Sequence, residues 1–113
     1  MLKFKTVKIL GVEYKIIELP YVQINETAGE GTVGYCDDLD DKIILAKELK
    51  GRGQKKIFIH EWAHGVCGVN GLNQTLEPVI AESISQSFAN ALLELLEQKE
   101  VMAFLMKKAD KQV

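Results

Sequence analysis

The two histidines of this chain lie four residues apart, in the segment His60-Glu61-Trp62-Ala63-His64. Residues four apart share one face of an α-helix, with Cβ atoms about 5–6 Å apart. Two imidazoles at that separation can bind one zinc ion at about 2.0–2.1 Å per nitrogen. Glu61 points beside this face, where a general base for an activated water belongs. The segment therefore predicts a helix that carries a metal centre.

A buried helix with two satisfied histidines and a surface glutamate is the alternative interpretation of the same segment. Two observations count against it. Both histidines of the chain fall within the motif, and the residues on either side, 55–59 and 65–68, are compatible with a continuing helix. The zinc interpretation is therefore favoured on the mechanics of the motif.

A catalytic zinc needs a third protein ligand, and the chain has no third histidine. Glu77 and Glu82 are the downstream candidates. Glu77 precedes Pro78 at a predicted helix start, where the helix dipole already explains a carboxylate. Glu82 lies further along the helix among Ala81, Ser83 and Ile84, and a charged residue is rarely buried there unless it is paired or metal-bound. We predict His60, His64 and Glu82 as ligands, with a solvated Glu82 as the alternative.

Cys67 follows His64 by three residues and could share its face, but a buried free cysteine is the commoner role. The other cysteine, Cys36, belongs to a different predicted element, and the spacing is not that of a disulfide framework. Reduced thiols and a cytoplasmic location are expected.

Composition sets the broad class of the protein. The 113 residues are 47% hydrophobic and 27% charged, with a net charge of −2, as in an ordinary globular protein. The charge argues against a nucleic-acid partner, which requires clustered Lys and Arg. Residues 1–5 alternate charged and apolar side chains, so neither a signal peptide nor a membrane span is expected. We expect one domain over residues 1–113.

The first half of the chain predicts two β-hairpins. Residues 7–10 and 12–17 alternate around Gly11, Pro20 closes the second strand, and residues 25–31 are predicted to form a loop. Strands at 32–36 and 42–46 then flank an aspartate-rich segment, residues 37–41. A calcium loop would need twelve residues and a terminal Glu between two helices, so a turn is the favoured interpretation.

The second half predicts helices. Gly51-Arg52-Gly53 is expected to break the chain before a motif helix over residues 54–69, whose end is suggested by Gly65 and Gly68. Thr75 is a candidate N-cap with Pro78 in the first turn, and one helix, or two with a bend, should reach about Lys108. An apolar stripe is predicted to make this helix buried on most sides; it comprises Ile80, Ile84, Phe88, Ala91 and Leu95, widened by Leu92, Leu93 and Leu96.

These elements predict an α+β fold: a small, mostly antiparallel sheet packed on the motif helix and on the long C-terminal helix. That second helix would bring Glu82 under the metal. Ser85 and Gln86, one turn later, could then hydrogen-bond the ligands.

The motifs resemble a known group of proteins. His60-Glu61-x-x-His64 followed by a helical Glu is similar to the gluzincin branch of zinc metallopeptidases. Gly34-Tyr35-Cys36-Asp37, an apolar strand and residues 57–64 resemble the ImmA/IrrE type, compact metallopeptidase-like proteins often carried by phages and mobile elements. Glu82 followed by Ser87-Phe88-Ala89 resembles the ligand helix of that family. The resemblance covers roughly residues 34–96, and it departs from the family at Ser85, where an alanine is usual.

The resemblance implies a minimal zincin fold, Zn²⁺ on His60, His64 and Glu82, Glu61 as catalytic base, and cleavage of one protein partner such as a repressor. Tyr35, near the predicted cleft, is our candidate donor to the developing oxyanion, with a purely structural tyrosine as the alternative. The strand over residues 32–36 is predicted to be an exposed edge that pairs with an extended peptide. A catalytically silent, zinc-stabilised binding protein is the rival function, and a metal-free helical interaction module is a third.

Overall fold

A computed structural model of the chain describes residues 2–107. It is α+β, as predicted. In chain order the strands are β1 (Thr6–Ile9), β2 (Val12–Leu19), β3 (Gly34–Asp37) and β4 (Lys42–Ala46). The helices are α1 (Tyr21–Ala28), α2 (Gly51–Val69), α3 (Pro78–Leu96) and α4 (Lys99–Met106), with a short 3₁₀ helix at Leu72–Gln74.

The four strands form one sheet in the order β1-β2-β4-β3. The β1–β2 and β3–β4 pairs are antiparallel, while β2 and β4 are parallel, with Ile16 opposite Ile43. The prediction of a mostly antiparallel sheet is therefore confirmed. The outer position of β3 confirms the predicted edge, although this strand begins at Gly34 rather than at residue 32.

Strand β4 is apolar on both faces because both faces of the sheet are covered. Ile43 and Leu45 point to the face on which α2 packs, where they join Ile9, Tyr14 and Ile16. Ile44 and Ala46 point to the opposite face and meet Ile24 of α1. The sequence of a strand that is buried on both faces is a continuous apolar run, and β4 contains such a run, Ile43-Ile44-Leu45-Ala46.

Helix α1 was not expected. Residues 25–31 were predicted to form a loop, but the helix covers Tyr21–Ala28 and the loop begins only at Gly29, whose φ of 110° few other residues adopt. The only buried residue of this helix is Ile24, so its sequence has no apolar stripe to indicate it. Helix α1 is held in place by tertiary contacts that no helical pattern reveals: the burial of Ile24 and a hydrogen bond from the Tyr21 backbone N–H to Glu48 at 2.9 Å.

The aspartate-rich segment is a turn, as predicted. The carboxylate of Asp37 accepts hydrogen bonds from the backbone N–H groups of Leu39 at 3.1 Å and Asp40 at 3.2 Å. A side chain that satisfies its own backbone in this way is the reason aspartate favours turns.

The starts of the helices differ from the predictions. Gly51-Arg52-Gly53 does not break the chain but forms the first turn of α2, and Arg52 pairs with Glu97 through Nε–Oε2 at 2.8 Å. The N-cap of α3 is Glu77, followed by Pro78, so the prediction for Thr75 was wrong. The Thr75 hydroxyl instead donates to the carbonyl of Leu72 and closes the 3₁₀ turn.

The C-terminal half forms two helices, which is one of the two predicted arrangements. Helix α3 ends at Leu96 and α4 runs over Lys99–Met106, while the predicted end at Lys108 lies outside the described residues. None of the helices within residues 2–107 has the length and apolar character needed to cross a bilayer.

The predicted apolar stripe of α3 was wrong for its largest members. The buried residues are Ala81, Ser85, Ala89 and Leu93, whereas Ile80, Ile84 and Phe88 are 44% to 47% exposed. Small side chains on the inner face let α3 pack closely on α2, and the larger ones stand at the rim of that contact. There the Phe88 ring stacks on Trp62 with centroids 5.7 Å apart.

Candidate metal centre

The two histidines and Glu82 meet between α2 and α3. Nε2 of His60 lies 2.8 Å from Oε1 of Glu82, and Nε2 of His64 lies 2.8 Å from Oε2 of the same carboxylate. The two Nε2 atoms are 3.2 Å apart. The structure therefore brings together the three side chains that the sequence predicts as ligands, although 18 residues separate His64 from Glu82.

The separation of the two histidine nitrogens fits a small divalent cation, while Glu82 lies at hydrogen-bond distance from both. Two ligands of a tetrahedral zinc at about 2.0–2.1 Å stand roughly 3.4 Å apart, close to the observed separation of the two Nε2 atoms. One ligand atom each of His60, Glu61 and His64 also lies within 4.8 Å of the others. This group can hold a metal ion, and its donors are nitrogen and oxygen atoms of the kinds that zinc accepts.

Glu61 is enclosed beside the histidines. It is 6% exposed, and no hydrogen bond or ion pair joins its side chain to another part of residues 2–107. Burial, together with the nearby charge of Glu82, raises the pKa of Glu61 to about 8. A cation in the cluster would oppose both effects and favour the carboxylate that a general base needs.

Two buried polar atoms near this contact have no hydrogen-bond partner within the described part of the chain: Nδ1 of His60 and Oγ of Ser85. The hydrogen bond predicted from Ser85 to a ligand is therefore not present. Gln86, the other predicted supporting residue, borders the cleft without a described hydrogen bond to a histidine.

A cleft runs along the edge strand on both sides of the histidines. A cavity of about 360 Å³ extends towards Cys36 and Asp38. A second cavity, of about 250 Å³, extends towards Ile57 and Gln86. Both are bordered by Thr32, Gly34, His60, Glu61 and Glu82. The candidate metal centre thus lies at the middle of an elongated depression whose wall is β3 and the residues before it.

Two glycines let α2 lie close to the sheet beside this cleft. Gly65 and Gly68 follow Glu61 on one helical face, at spacings of four and seven residues. A Cβ at Gly65 would lie 2.6 Å from Cδ1 of Ile9, and a Cβ at Gly68 would overlap the carboxyl group of Asp38. Gly65 lies inside α2 and marks a close approach of backbone to sheet and not a helix end, whereas α2 does end at Val69, one residue after Gly68 and as predicted.

Asp38 borders the site, although sequence analysis interpreted it only as part of an aspartate-rich turn. Its Oδ1 accepts hydrogen bonds from the Tyr14 hydroxyl at 2.9 Å and the Cys36 thiol at 3.4 Å, and its Oδ2 accepts from Nδ2 of Asn73 at 2.8 Å. Tyr14 and Asn73 are 24 and 35 residues away, so no local pattern could show this network. Burial, reinforced by Asp38, raises the pKa of Cys36 and keeps it a neutral thiol.

Three further candidates lie apart from the ligand cluster. The Tyr35 side chain packs with the Ile24–Ile44 side of the sheet, opposite Cys36, although the residue also borders the cleft, so its role as oxyanion donor stays a prediction. Glu77 is an exposed N-cap residue. Cys67 is a buried free thiol, as expected, and is not part of the ligand cluster.

No protein family, curated protein or solved structure matches the chain. The likeness to the ImmA/IrrE type therefore stays a prediction drawn from the motifs. Independently of that likeness, the structure contains a cluster of three side chains, His60, Glu61 and His64, that can hold a metal ion.

Proposed function

We propose that this protein is a zinc-dependent peptidase in which His60, His64 and Glu82 hold the metal. One observation carries the proposal: a single carboxylate, from a different helix, lies 2.8 Å from the Nε2 atoms of both histidines. Imidazole nitrogens that converge on one carboxylate are arranged as ligands of one ion. The Glu82 side chain is 62% exposed, so this side of the cluster is open to solvent.

Glu82 is preferred to Glu61 as the third ligand. Glu82 has one oxygen at contact distance from each histidine, whereas Glu61 follows His60 directly on α2 and is carried to the side of the shared histidine face. Two histidines and one glutamate leave a coordination position free, as a catalytic zinc requires.

Glu61 has the position of a general base. When bound, zinc supplies Lewis acidity, which lowers the pKa of water and polarises a carbonyl. Glu61 then accepts a proton from the attacking water, the water oxygen bonds to the carbonyl carbon, and the carbon–nitrogen bond breaks as Glu61 returns the proton to the amine. Proton transfer of this kind typically contributes about 10²–10⁴-fold to the rate.

An extended peptide fits the cleft. The outer edge of β3 pairs with no strand within residues 2–107, and main-chain hydrogen bonds to such an edge are a common way of binding peptides. The two cavities that flank the histidines lie along this strand. We propose limited cleavage of a specific protein partner, such as a repressor, as the resemblance implies.

A catalytically silent, zinc-stabilised binding protein is the rival proposal. Glu82 of α3 contacts both histidines of α2, so a metal bound by all three would join the two helices and stabilise the fold. This contact favours the rival proposal. Glu61 argues against it, because desolvating a carboxyl group that is only 6% exposed and borders the cavity is unfavourable, and a structural site gains nothing from it.

Metal analysis and peptide cleavage test both proposals. Purified wild type, Glu61→Gln, Glu82→Ala and the control Glu77→Ala are loaded with zinc, and bound metal is measured by mass spectrometry. A mixture of unfolded proteins is then incubated with each, and new peptide ends are identified. We expect Glu61→Gln to keep zinc and lose cleavage, Glu82→Ala to lose zinc, and Glu77→Ala to resemble wild type.

Each variant addresses one assignment. Full zinc content in Glu82→Ala would remove Glu82 as a ligand. Cleavage by Glu61→Gln at the wild-type rate would remove Glu61 as the base. Zinc binding by wild type without cleavage of any protein in the mixture, including proteins of the source cell, would favour the silent binding protein.

A further inference from the structure

The cavity beside the histidines is bordered by acidic groups. Three of its bordering residues are carboxylic acids, Asp38, Glu61 and Glu82, and none of the described residues that border it is Lys or Arg. Glu61 is more than nine-tenths buried, lacks a partner within residues 2–107 and faces this space, which itself indicates a cationic or polar ligand. The two positive charges of a bound divalent ion would neutralise the carboxylates of Glu61 and Glu82. The negative charge of Asp38 would then remain.

Asp38 is held firmly in place by its neighbours. It accepts hydrogen bonds from Tyr14, Cys36 and Asn73, which fix both of its oxygens relative to β2, β3 and the segment after α2. Each carboxylate oxygen has two acceptor sites, so Oδ2 keeps one beyond the bond from Asn73. A fixed, half-buried carboxylate with spare acceptor capacity can bind a cation at a small entropic cost.

The position of Asp38 relates it to the centre of the cleft. It lies against Gly68, which is one helical turn after His64 and thus about 6 Å further along α2. It also follows directly after β3, whose outer edge would guide a peptide. An extended chain advances about 3.3 Å per residue, so Asp38 lies within about two residues of a bond held at the histidines.

We infer that Asp38 is a specificity-determining residue that selects substrates with a cationic side chain, lysine or arginine, within two residues of the cleaved bond. The inference rests on the proposed function and names the substrate class of that site. Its physical basis is the pairing of a fixed carboxylate with an ammonium or guanidinium group in a cavity whose described bordering residues include no Lys or Arg.

Peptide binding to a cleavage-deficient protein tests the inference. Zinc-loaded Glu61→Gln is titrated calorimetrically with short unstructured peptides that are identical except for Lys, Gln or Glu at one scanned position. The same titrations use Glu61→Gln combined with Asp38→Asn, which keeps the shape of the side chain and removes its negative charge. Glu61→Gln with Asp40→Asn is the matched control, because Asp40 belongs to the same turn but is 65% exposed and does not border the cavity.

The expected result is a Lys peptide that binds about tenfold more tightly than its Gln partner, with the Glu peptide weakest. Asp38→Asn should reduce the Lys preference to within about threefold, and Asp40→Asn should preserve it. If Glu61→Gln binds the three peptides with equal affinity at every scanned position, that result alone overturns the inference. A full Lys preference in a folded Asp38→Asn protein would also overturn it.

Cleavage by the wild-type protein separates this inference from the proposed function. If Lys peptides bind in an Asp38-dependent way but wild type cuts none of them, the peptidase proposal fails and the cationic subsite stands. If wild type cuts peptides without regard to charge, the peptidase proposal stands and the role of Asp38 is lost.

Discussion

Gly68 lies against the carboxyl group of Asp38 so closely that a Cβ at position 68 would overlap it. The contact joins the last turns of α2 to the end of β3, two elements that border the candidate metal centre. Because Asp38 is also held by Tyr14 and Asn73, it has little freedom to move away. A side chain at position 68 would therefore have to displace either the helix or the hydrogen-bond network.

Gly68→Ala should destabilise the protein by about 1–3 kcal/mol, the usual cost of forcing a methyl group into a packed site. Gly53→Ala is the matched control, since Gly53 also lies in α2 and a Cβ there would meet nothing within 4 Å. Replacing a helical glycine by alanine in open space should stabilise by about 0.5–1 kcal/mol. Urea unfolding of the two variants measures the difference, and equal midpoints would contradict the close contact.

The metal-free protein should lose stability as the pH rises. The pKa of Glu61 is about 8 in the folded protein against 4.5 as its ordinary value. Between these two values the folded state binds more protons than the unfolded state, so the free energy of unfolding falls with increasing pH. The contribution is fully present below about pH 4.5 and is lost as the pH passes through about 8.

Urea unfolding in the presence of a chelator, at pH values from about 5 to about 8, measures this dependence. Glu61→Gln is the comparison, because glutamine cannot titrate while both proteins share the same histidines. The difference in unfolding free energy between wild type and variant should change steadily over this range. A constant difference would show that Glu61 does not bind its proton more tightly in the folded state.

Zinc should stabilise the fold through the contact of α2 with α3. A ligand at a hundredfold excess over its Kd that binds only the folded state adds about 2.7 kcal/mol to the free energy of unfolding, and for a chain of this size that raises Tm by about 10 °C. Calorimetry with zinc or with a chelator measures the shift. Glu82→Ala should show little of it and Glu77→Ala all of it, whereas an undiminished shift in Glu82→Ala would place the metal elsewhere.

Much of the fold and of the candidate site could be predicted because the signals are local. The alternation of residues 12–17 indicates β2, the aspartates indicate the turn after β3, and a four-residue spacing places both histidines on one helix face. Glu82 could be selected from a short list because few carboxylates follow the motif, although its side chain is 62% exposed and not buried as that selection assumed. Each of these inferences requires only residues that are neighbours in the chain or on one helix.

The features that could not be predicted depend on contacts between distant segments. Helix α1 is held by the burial of Ile24 against β4, and the parallel β2–β4 pairing has no local signature. The network of Asp38 joins residues up to 35 positions apart. Gly65 looked like a helix end because the sequence does not show that the Ile9 side chain lies against it.

The inner face of α3 provides a test of the packing that the apolar stripe failed to predict. Leu93 is 2% exposed and packs with Ile59 and Ala89, whereas Ile84 is 47% exposed at the rim. Leu93→Ala should cost about 2–5 kcal/mol because it leaves a cavity between α2 and α3. Ile84→Ala should cost less than about 1 kcal/mol because much of that side chain is already in water. Chemical unfolding of both variants distinguishes the two faces: a larger loss for Ile84→Ala would mean that the stripe, and not the row of small residues, faces α2.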